Sequence, residues 1–380
     1  MGKIYTALGL MSGTSMDGVD ASIIKSDGAD QFTNIYDEYY EFDTKIYKNL
    51  IELRKLIFTH EHLNNFSKEI NDLERELTLF HNTIINEISS KYNGNIDIIG
   101  FHGQTIFHNP QKQITRQLGD GNLLSQLSKK IVIYDFRKND LLNKGQGAPL
   151  TPIYHYLLSD NIRKKFNDKF SFINIGGISN ITIIKEYTDS SNKKIEAFDI
   201  GPGNCLIDEW IRKNSNLKYD KDGLIGQSGK INRLILNHAI DNFNILSYEQ
   251  SLDVKDFDTN FAKGLSLEDG CATVTNFTAY LISEGLKSLN RKNKKMFNKY
   301  LMCGGGRKNK FLVSLINQYL ENENNIILKQ IDDYNFNGDF IESQAFGYLA
   351  IRSYLGLPIS FPSTTRCQSP STGGIIAKNF

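Results

Sequence analysis

A pattern that occurs twice constrains this chain more than any other feature. Ile4–Met11 is an apolar run, Ser12-Gly13-Thr14-Ser15-Met16-Asp17-Gly18 is a turn of mostly small residues, and Val19–Ile24 is apolar again. A third strand follows over Phe32–Phe42 with polar residues interleaved. Near Phe170 the pattern returns: Phe172–Ile175, then Gly176-Gly177-Ile178-Ser179-Asn180, then Ile181–Ile184, with Ile195–Phe198 as the third strand. Apolar strands before glycines are common, so chance could supply two such hairpins. The matching third strands and the helical stretches after them favour a duplicated α/β unit. Two units of this kind can face each other across a cleft, one glycine turn on each wall.

Between and beyond the hairpins, Ile70, Leu73, Leu77, Phe80, Ile84 and Ile88 recur at three- and four-residue steps, which predicts a helix over Asn65–Ser89. Ile96–Phe101 and Ile131–Tyr134 read as short strands alternating with helices. The Gly- and Pro-rich stretch Lys144–Pro152 marks a domain crossing or a functional loop. The expected division is an N-terminal domain over 1–150, joined by a tail from about 360–380, and a second domain over 151–360.

The charge balance limits the partners. Lys and Arg total 44 against 43 Asp and Glu, so electrostatics gives no reason to expect nucleic acid or an anionic membrane surface. The basic run Arg291-Lys292-Asn293-Lys294-Lys295 is short and reads as a solvated loop or helix end. Cys205, Cys271, Cys303 and Cys367 stand at neither zinc nor disulfide spacing, which suits a reducing compartment. No apolar run approaches the 18 residues or so that a spanning helix needs. A soluble, cytoplasmic protein is expected, its oligomeric state left open with a homodimer as one option.

Several motifs can carry chemistry. Small residues at Gly13–Gly18 let backbone N–H groups approach an anion, and Thr14 and Ser15 add hydroxyl donors. Asp17 suits a phosphate-bound Mg²⁺, directly or through water. An ordinary hairpin also needs Gly and Asp, but not so many hydroxyls. Gly226-Gln227-Ser228-Gly229-Lys230-Ile231 imitates a phosphate loop, yet has Leu224 where a glycine is required and Ile231 where Ser or Thr must hold the metal, so it reads as a turn. Gly304, Gly305 and Gly306 lie between an apolar strand and a helical run, where a flat ring or phosphate can approach the backbone. Asp199, in Phe198-Asp199-Ile200-Gly201-Pro202-Gly203-Asn204, ends an apolar strand. There α/β proteins place ligands, and a carboxylate can take a proton from a hydroxyl or from water. The next helix is expected to be capped by Asn204 instead. His102-Gly103-Gln104-Thr105 closes the strand ending at Phe101 and suits either sugar hydroxyls or a satisfied structural histidine, while Arg137, after the next strand, offers either a fork for a carboxylate or a surface ion pair.

Taken together, these segments resemble the anhydro-N-acetylmuramic acid kinase family. The match runs through Gly9–Asp20, Gly100–Thr105, Asp135-Phe136-Arg137, Gly145–Leu150, Asn174–Asn180, Phe198–Asn204 and Cys303–Gly306, in the family's order along nearly the whole chain. The resemblance implies two duplicated actin- and hexokinase-like (ribonuclease H-like) domains around an ATP cleft. It implies an enzyme that opens the 1,6-anhydro ring of anhydro-N-acetylmuramic acid with water and transfers the ATP γ-phosphoryl group to O6, in cell-wall sugar recycling. By motif, Gly13, Thr14, Ser15, Met16, Asp17, Gly18, Val19 and Asp20 would hold ATP phosphates with Mg²⁺, and Gly176 and Gly177 would make the facing phosphate contact. Gly304, Gly305 and Gly306 would lie near the nucleoside, and Asp199 would activate the water. His102, Arg137 and Glu342 fall where the family contacts the sugar, Glu342 on the short match Glu342–Phe346. The family commonly has threonine at Ile200 and alanine at Ser343, and the missing hydroxyl at Ile200 would alter contacts around the γ-phosphate. The competing class is a nucleotide-gated binding protein on the same scaffold, which would show no sugar-dependent turnover.

Overall fold

The computed structural model describes residues 2–186, 194–243, 251–292, 299–323 and 326–380, so Asn293–Lys295 of the basic run lie outside the described residues. The chain divides into two compact units, Met1–Leu158 with Phe340–Phe380, and Ser159–Asp339.

In the first unit, β1 (Tyr5–Ser12), β2 (Gly18–Ser26) and β3 (Phe32–Glu41) form an antiparallel meander. β4 (Ile98–Asn109) then pairs parallel to β1, β5 (Ile114–Leu118) pairs antiparallel to β4, and β6 (Ile131–Tyr134) is parallel to β4. The second unit repeats the plan. β7 (Ser171–Ile175), β8 (Ile178–Glu186) and β9 (Lys194–Pro202) make the meander, β10 (Lys299–Cys303) is parallel to β7, and β11 (Ile327–Gln330) is parallel to β10. The strand orders β6-β4-β1-β2-β3 and β11-β10-β7-β8-β9 are the same sequence of positions. The duplication read from the hairpins is therefore one of whole sheets, in keeping with the two duplicated α/β units expected from the sequence.

The predicted amphipathic helix is observed over Ser67–Lys91, burying Ile70, Leu73, Leu77, Ile84 and Ile88 in the first core. The other face of that sheet carries the helix Ile341–Tyr354, which presses onto β1, β2 and β4. Contact is so close that a Cβ on Gly9 would lie 1.9 Å from the Ser343 carbonyl and one on Gly100 2.3 Å from that of Phe346. This packing takes the chain back into the first unit at Phe340, ahead of the expected residue 360, and β12 (Ile375–Ala377) then pairs with β6. The second core gathers the helix Leu267–Lys292 against β9, with Ile200, Trp210, Phe277 and Leu286 buried.

Candidate active site

The first glycine turn is braced from β4. Gln104 is fully buried; its Nε2–H₂ donates to the Gly13 carbonyl (3.0 Å), and its Oε1 lies 2.5 Å from Ser12 Oγ, which is also 2.9 Å from the Gly18 carbonyl. The side chain expected to meet a sugar hydroxyl is thus spent holding the turn. Within the turn, the Ser15 hydroxyl donates to Asp17, whose carbonyl accepts from Phe42 N–H (2.9 Å). Arg54 donates to the Thr14 carbonyl (3.0 Å). Met16 adopts a positive φ of 58° and, like Val19, is fully buried, so any ligand contact at these two comes through backbone. Asp20 lies in β2 opposite Tyr39 of β3.

Glycine has two different reasons in these loops. At Gly18 a Cβ would meet the Tyr40 carbonyl at 2.4 Å, and at Gly306 it would meet Ile175 at 2.2 Å. Gly304 combines a φ of +80° with a Cβ position 2.3 Å from Asn174 Oδ1. Those three are required by the protein's own packing. At Gly13, Gly176 and Gly305 no such atom comes nearer than 4.0, 3.6 and 3.8 Å respectively, and none has a positive φ. Their missing side chains leave space beside the backbone.

His102 does not follow a strand end. β4 runs on to Asn109, bent at Gly103 (φ +72°), where pairing with β1 shifts and pairing with β5 begins. The bend seats His102 inside the sheet, 3% exposed, its ring 4.5 Å from that of Phe346. Its Nδ1–H donates to the Gly103 carbonyl (2.7 Å), which leaves Nε2 as an acceptor for Arg137 Nη2–H (3.0 Å) and Nε–H (3.3 Å). Burial, and then the Arg137 charge, hold the imidazole well below its usual range, so it is neutral. Arg137 and Asp135 follow β6, Asp135 at φ +55° and with its carboxyl raised by burial against the pull of Lys138, 3.9 Å away. Glu342 sits in the first turn of the 341–354 helix, half-buried. Ser343, where the family commonly has alanine, bonds Ser22 Oγ (2.6 Å) and the Phe340 carbonyl (3.0 Å).

In the second unit Asp199 lies on edge strand β9, opposite Asn180, and the strand continues past it to Pro202. The register shifts between the pairs Asn180–Asp199 and Ser179–Gly201, so Ile200 is the extra residue of a bulge. Asp199 is half-buried and its Oδ2 accepts Leu252 N–H at 2.8 Å, a partner no local motif announces. Ile200 points the other way, fully buried, where a Cβ on Gly285 would lie 2.7 Å from it. The threonine-to-isoleucine difference therefore falls in the core, which corrects the expectation of altered contacts around a phosphate. Asn204 is the N-cap of the helix Cys205–Asn214 without a capping side-chain bond. The Gly176 carbonyl takes Asn204 N–H (2.7 Å), and that of Gly177 takes Gly203 N–H (2.9 Å). After Gly304–Gly306, Arg307 is 5% exposed, bonded to both Asp332 oxygens (2.7 and 2.8 Å) and to Asp339 (2.6 Å).

The imitation phosphate loop is one helical turn, Leu224–Ser228, whose Ile225 and Gly226 N–H groups are taken by Asp220 (2.8 and 3.0 Å). A carboxylate already occupies the place of an anion there. The four cysteines are buried, and no disulfide joins them. Among the described residues no cluster of three metal-ligating side chains occurs, and no helix is long and apolar enough to cross a membrane.

Comparison with known proteins agrees over the full length. The family model described as anhydro-N-acetylmuramic acid kinase matches residues 5–379. A protein of that name from Pelagibacter ubique is 52% identical over 384 residues, covering 100% of both chains, and one from Agrobacterium fabrum is 35% identical over 385 residues with the same coverage. Among solved structures, a Schistosoma mansoni hexokinase complexed with glucose aligns over 91% of this chain and 85% of its own, at 10% identity and a TM-score of 0.41, a likeness too distant to argue from. On the family match and these identities, the chain belongs to the anhydro-N-acetylmuramic acid kinase family.

Proposed function

We propose that this kinase opens the 1,6-anhydro ring of 1,6-anhydro-N-acetylmuramic acid with water and phosphorylates O6, giving N-acetylmuramic acid 6-phosphate and ADP in cytoplasmic cell-wall recycling. Asp199 is the base. It takes a proton from water as the water oxygen bonds to C1; the C1–O6 bond breaks, its electrons pass to O6, and O6 accepts the γ-phosphoryl group. The observation that carries this role is the fixed carboxylate: Oδ2 is oriented by the Leu252 N–H at 2.8 Å on a bulged edge strand.

ATP supplies the phosphoryl group and Mg²⁺ neutralises charge on its phosphates. The residues present fit them. The space beside Gly13 and Gly176 admits phosphate oxygens to the backbone, and that beside Gly305 admits the nucleoside. Thr14, Ser15, Gly18 and Asp20 complete the first loop's contacts, with Met16 and Val19 acting through backbone, and Asp17 takes Mg²⁺ directly or through water. Gly177 extends the facing loop. Gly304 and Gly306 shape the nucleoside loop by packing on β7. Glu342 binds sugar hydroxyls, and Arg137 forks the substrate's lactyl carboxylate. His102 acts beside the sugar through Arg137.

The test is ATP turnover coupled to anhydro-N-acetylmuramic acid, with Asp199→Asn as the variant. Loss of the base lowers kcat by about 10²–10⁴ while ATP binding, read by calorimetry, is kept. Near-normal turnover in Asp199→Asn removes Asp199 from this role.

A further inference from the structure

Among the groups that hold Arg137 are acceptors on two different elements, each itself fixed. One is the neutral His102 Nε2, set by the bond from its Nδ1–H to Gly103 and by the Phe346 ring. The other is the Gly147 carbonyl, which accepts Arg137 Nη1–H at 2.9 Å. Gly147 sits at φ +71° in the Lys144–Pro152 loop, and its N–H donates to Asp140 Oδ2 at 2.6 Å. Asp140 is 1% exposed. Its other oxygen accepts the Thr365 hydroxyl at 2.6 Å, and its main-chain carbonyl accepts Gly145 N–H at 2.8 Å. Thr365, fully buried, also accepts Gln146 N–H on its carbonyl at 2.7 Å. Gly145 has no room for a side chain because the Asp140 carboxylate would lie 2.2 Å from its Cβ.

We infer that Asp140, locked by Thr365 of the C-terminal segment, is a positioning residue that aims the Arg137 guanidinium and so sets preference for a sugar bearing a carboxylate. A guanidinium makes its strongest contact with a carboxylate as a planar, two-bond fork, and that contact depends on the orientation of its plane. Two acceptors on different elements define that plane. The Gly147 carbonyl keeps its direction only while the buried carboxylate holds the loop. An amide at 140 replaces it only in part: its single acceptor oxygen can keep the Gly147 N–H, but its NH₂ then faces the Thr365 hydroxyl, which must turn from donor to acceptor, and the charge that strengthens both bonds is lost. The inference rests on reading Arg137 as the fork for the substrate acid.

The experiment uses the full-length enzyme with Asp140→Asn, Thr365→Val, Thr365→Ser and Arg137→Ala. It measures KM for anhydro-N-acetylmuramic acid, KM for ATP, and the inhibition constant of 1,6-anhydro-N-acetylglucosamine, which lacks the lactyl acid. Asp140→Asn and Thr365→Val are expected to raise KM for the acid sugar about tenfold, the worth of one charged hydrogen bond. KM for ATP and the inhibition constant of the acid-free sugar stay unchanged, and Thr365→Ser restores the wild-type value. Thr365→Val keeps side-chain shape and decides the matter where Asp140→Asn does not fold. If Arg137→Ala leaves KM for the acid sugar unchanged, the reading of Arg137 fails. If Arg137→Ala raises it and neither Asp140→Asn nor Thr365→Val does, the positioning role alone is overturned. A uniform loss across both sugars and ATP likewise overturns it.

Discussion

Arg307 shows how much a single residue can matter without any motif to mark it. It follows three glycines that draw attention to themselves, yet it is the arginine that ties the β10 turn to the 331–339 segment through Asp332 and Asp339. Its side chain is 4% exposed, while those of Asp332 and Asp339 are 43% and 28% exposed. Arg307→Met keeps the buried stem and removes both ion pairs. Because the two carboxylates can turn to water, the loss falls below that of a fully buried pair, at about 2 kcal/mol. Urea unfolding should show a lower midpoint with an unchanged slope, and an unchanged midpoint would deny Arg307 this role. The same limit on local reading applies at Gln104 and Asp199. Residue type and position beside a strand flagged both, but Gln104 is consumed by Ser12 and Gly13, and the Leu252 partner of Asp199 is 53 residues distant.

At the scale of elements, the glycine loops separate into two classes that their sequences do not distinguish. Gly304 and Gly305 are adjacent, yet only Gly304 has a positive φ and a blocked Cβ position. Gly304→Ala should cost about 1–3 kcal/mol from backbone conformation alone, with steric repulsion in addition. Gly305→Ala should leave stability within about 0.5 kcal/mol. The added methyl fills the space proposed for the nucleoside, so KM for ATP should rise severalfold while the thermal midpoint holds. Equal effects of the two changes on stability, or no effect of Gly305→Ala on ATP, would contradict this division. Strand ends were less legible than strand existence. β4 and β9 both continue past the predicted ends because Gly103 and the bulge at Ile200 bend the chain without ending its pairing. Hydrophobic alternation is interrupted at a bend just as it is at an end.

For the molecule as a whole, buried histidines make stability depend on pH. Burial pushes His81 down to about 4, partly offset by its bond with the Leu77 carbonyl, and pushes His155 down to about 3. Unfolded, each titrates near 6.5, so between that value and the folded ones the unfolded chain binds protons that the folded chain refuses. Their contribution is full above about pH 6.5 and is lost as pH falls toward the folded values of about 4 and 3, amounting to about 4 kcal/mol between pH 7 and 5 for the two together. Urea midpoints measured at pH 7, 6 and 5 should fall in that order, and His81→Gln should flatten the trend. A flat profile in the wild type would show that neither histidine is buried in neutral form. By itself the sequence determined the doubled strand–glycine–strand plan, the third strand that follows each hairpin, and the family, because these are written in local periodicity and in motifs a few residues long. Only the tertiary structure decided that the 341–354 helix seals the first sheet, that His102 is a neutral acceptor, and that Thr365 locks Asp140 beside the loop that aims Arg137. Those outcomes depend on hydrogen bonds and close contacts between residues up to hundreds of positions apart, and on burial, which no local pattern of residue types records.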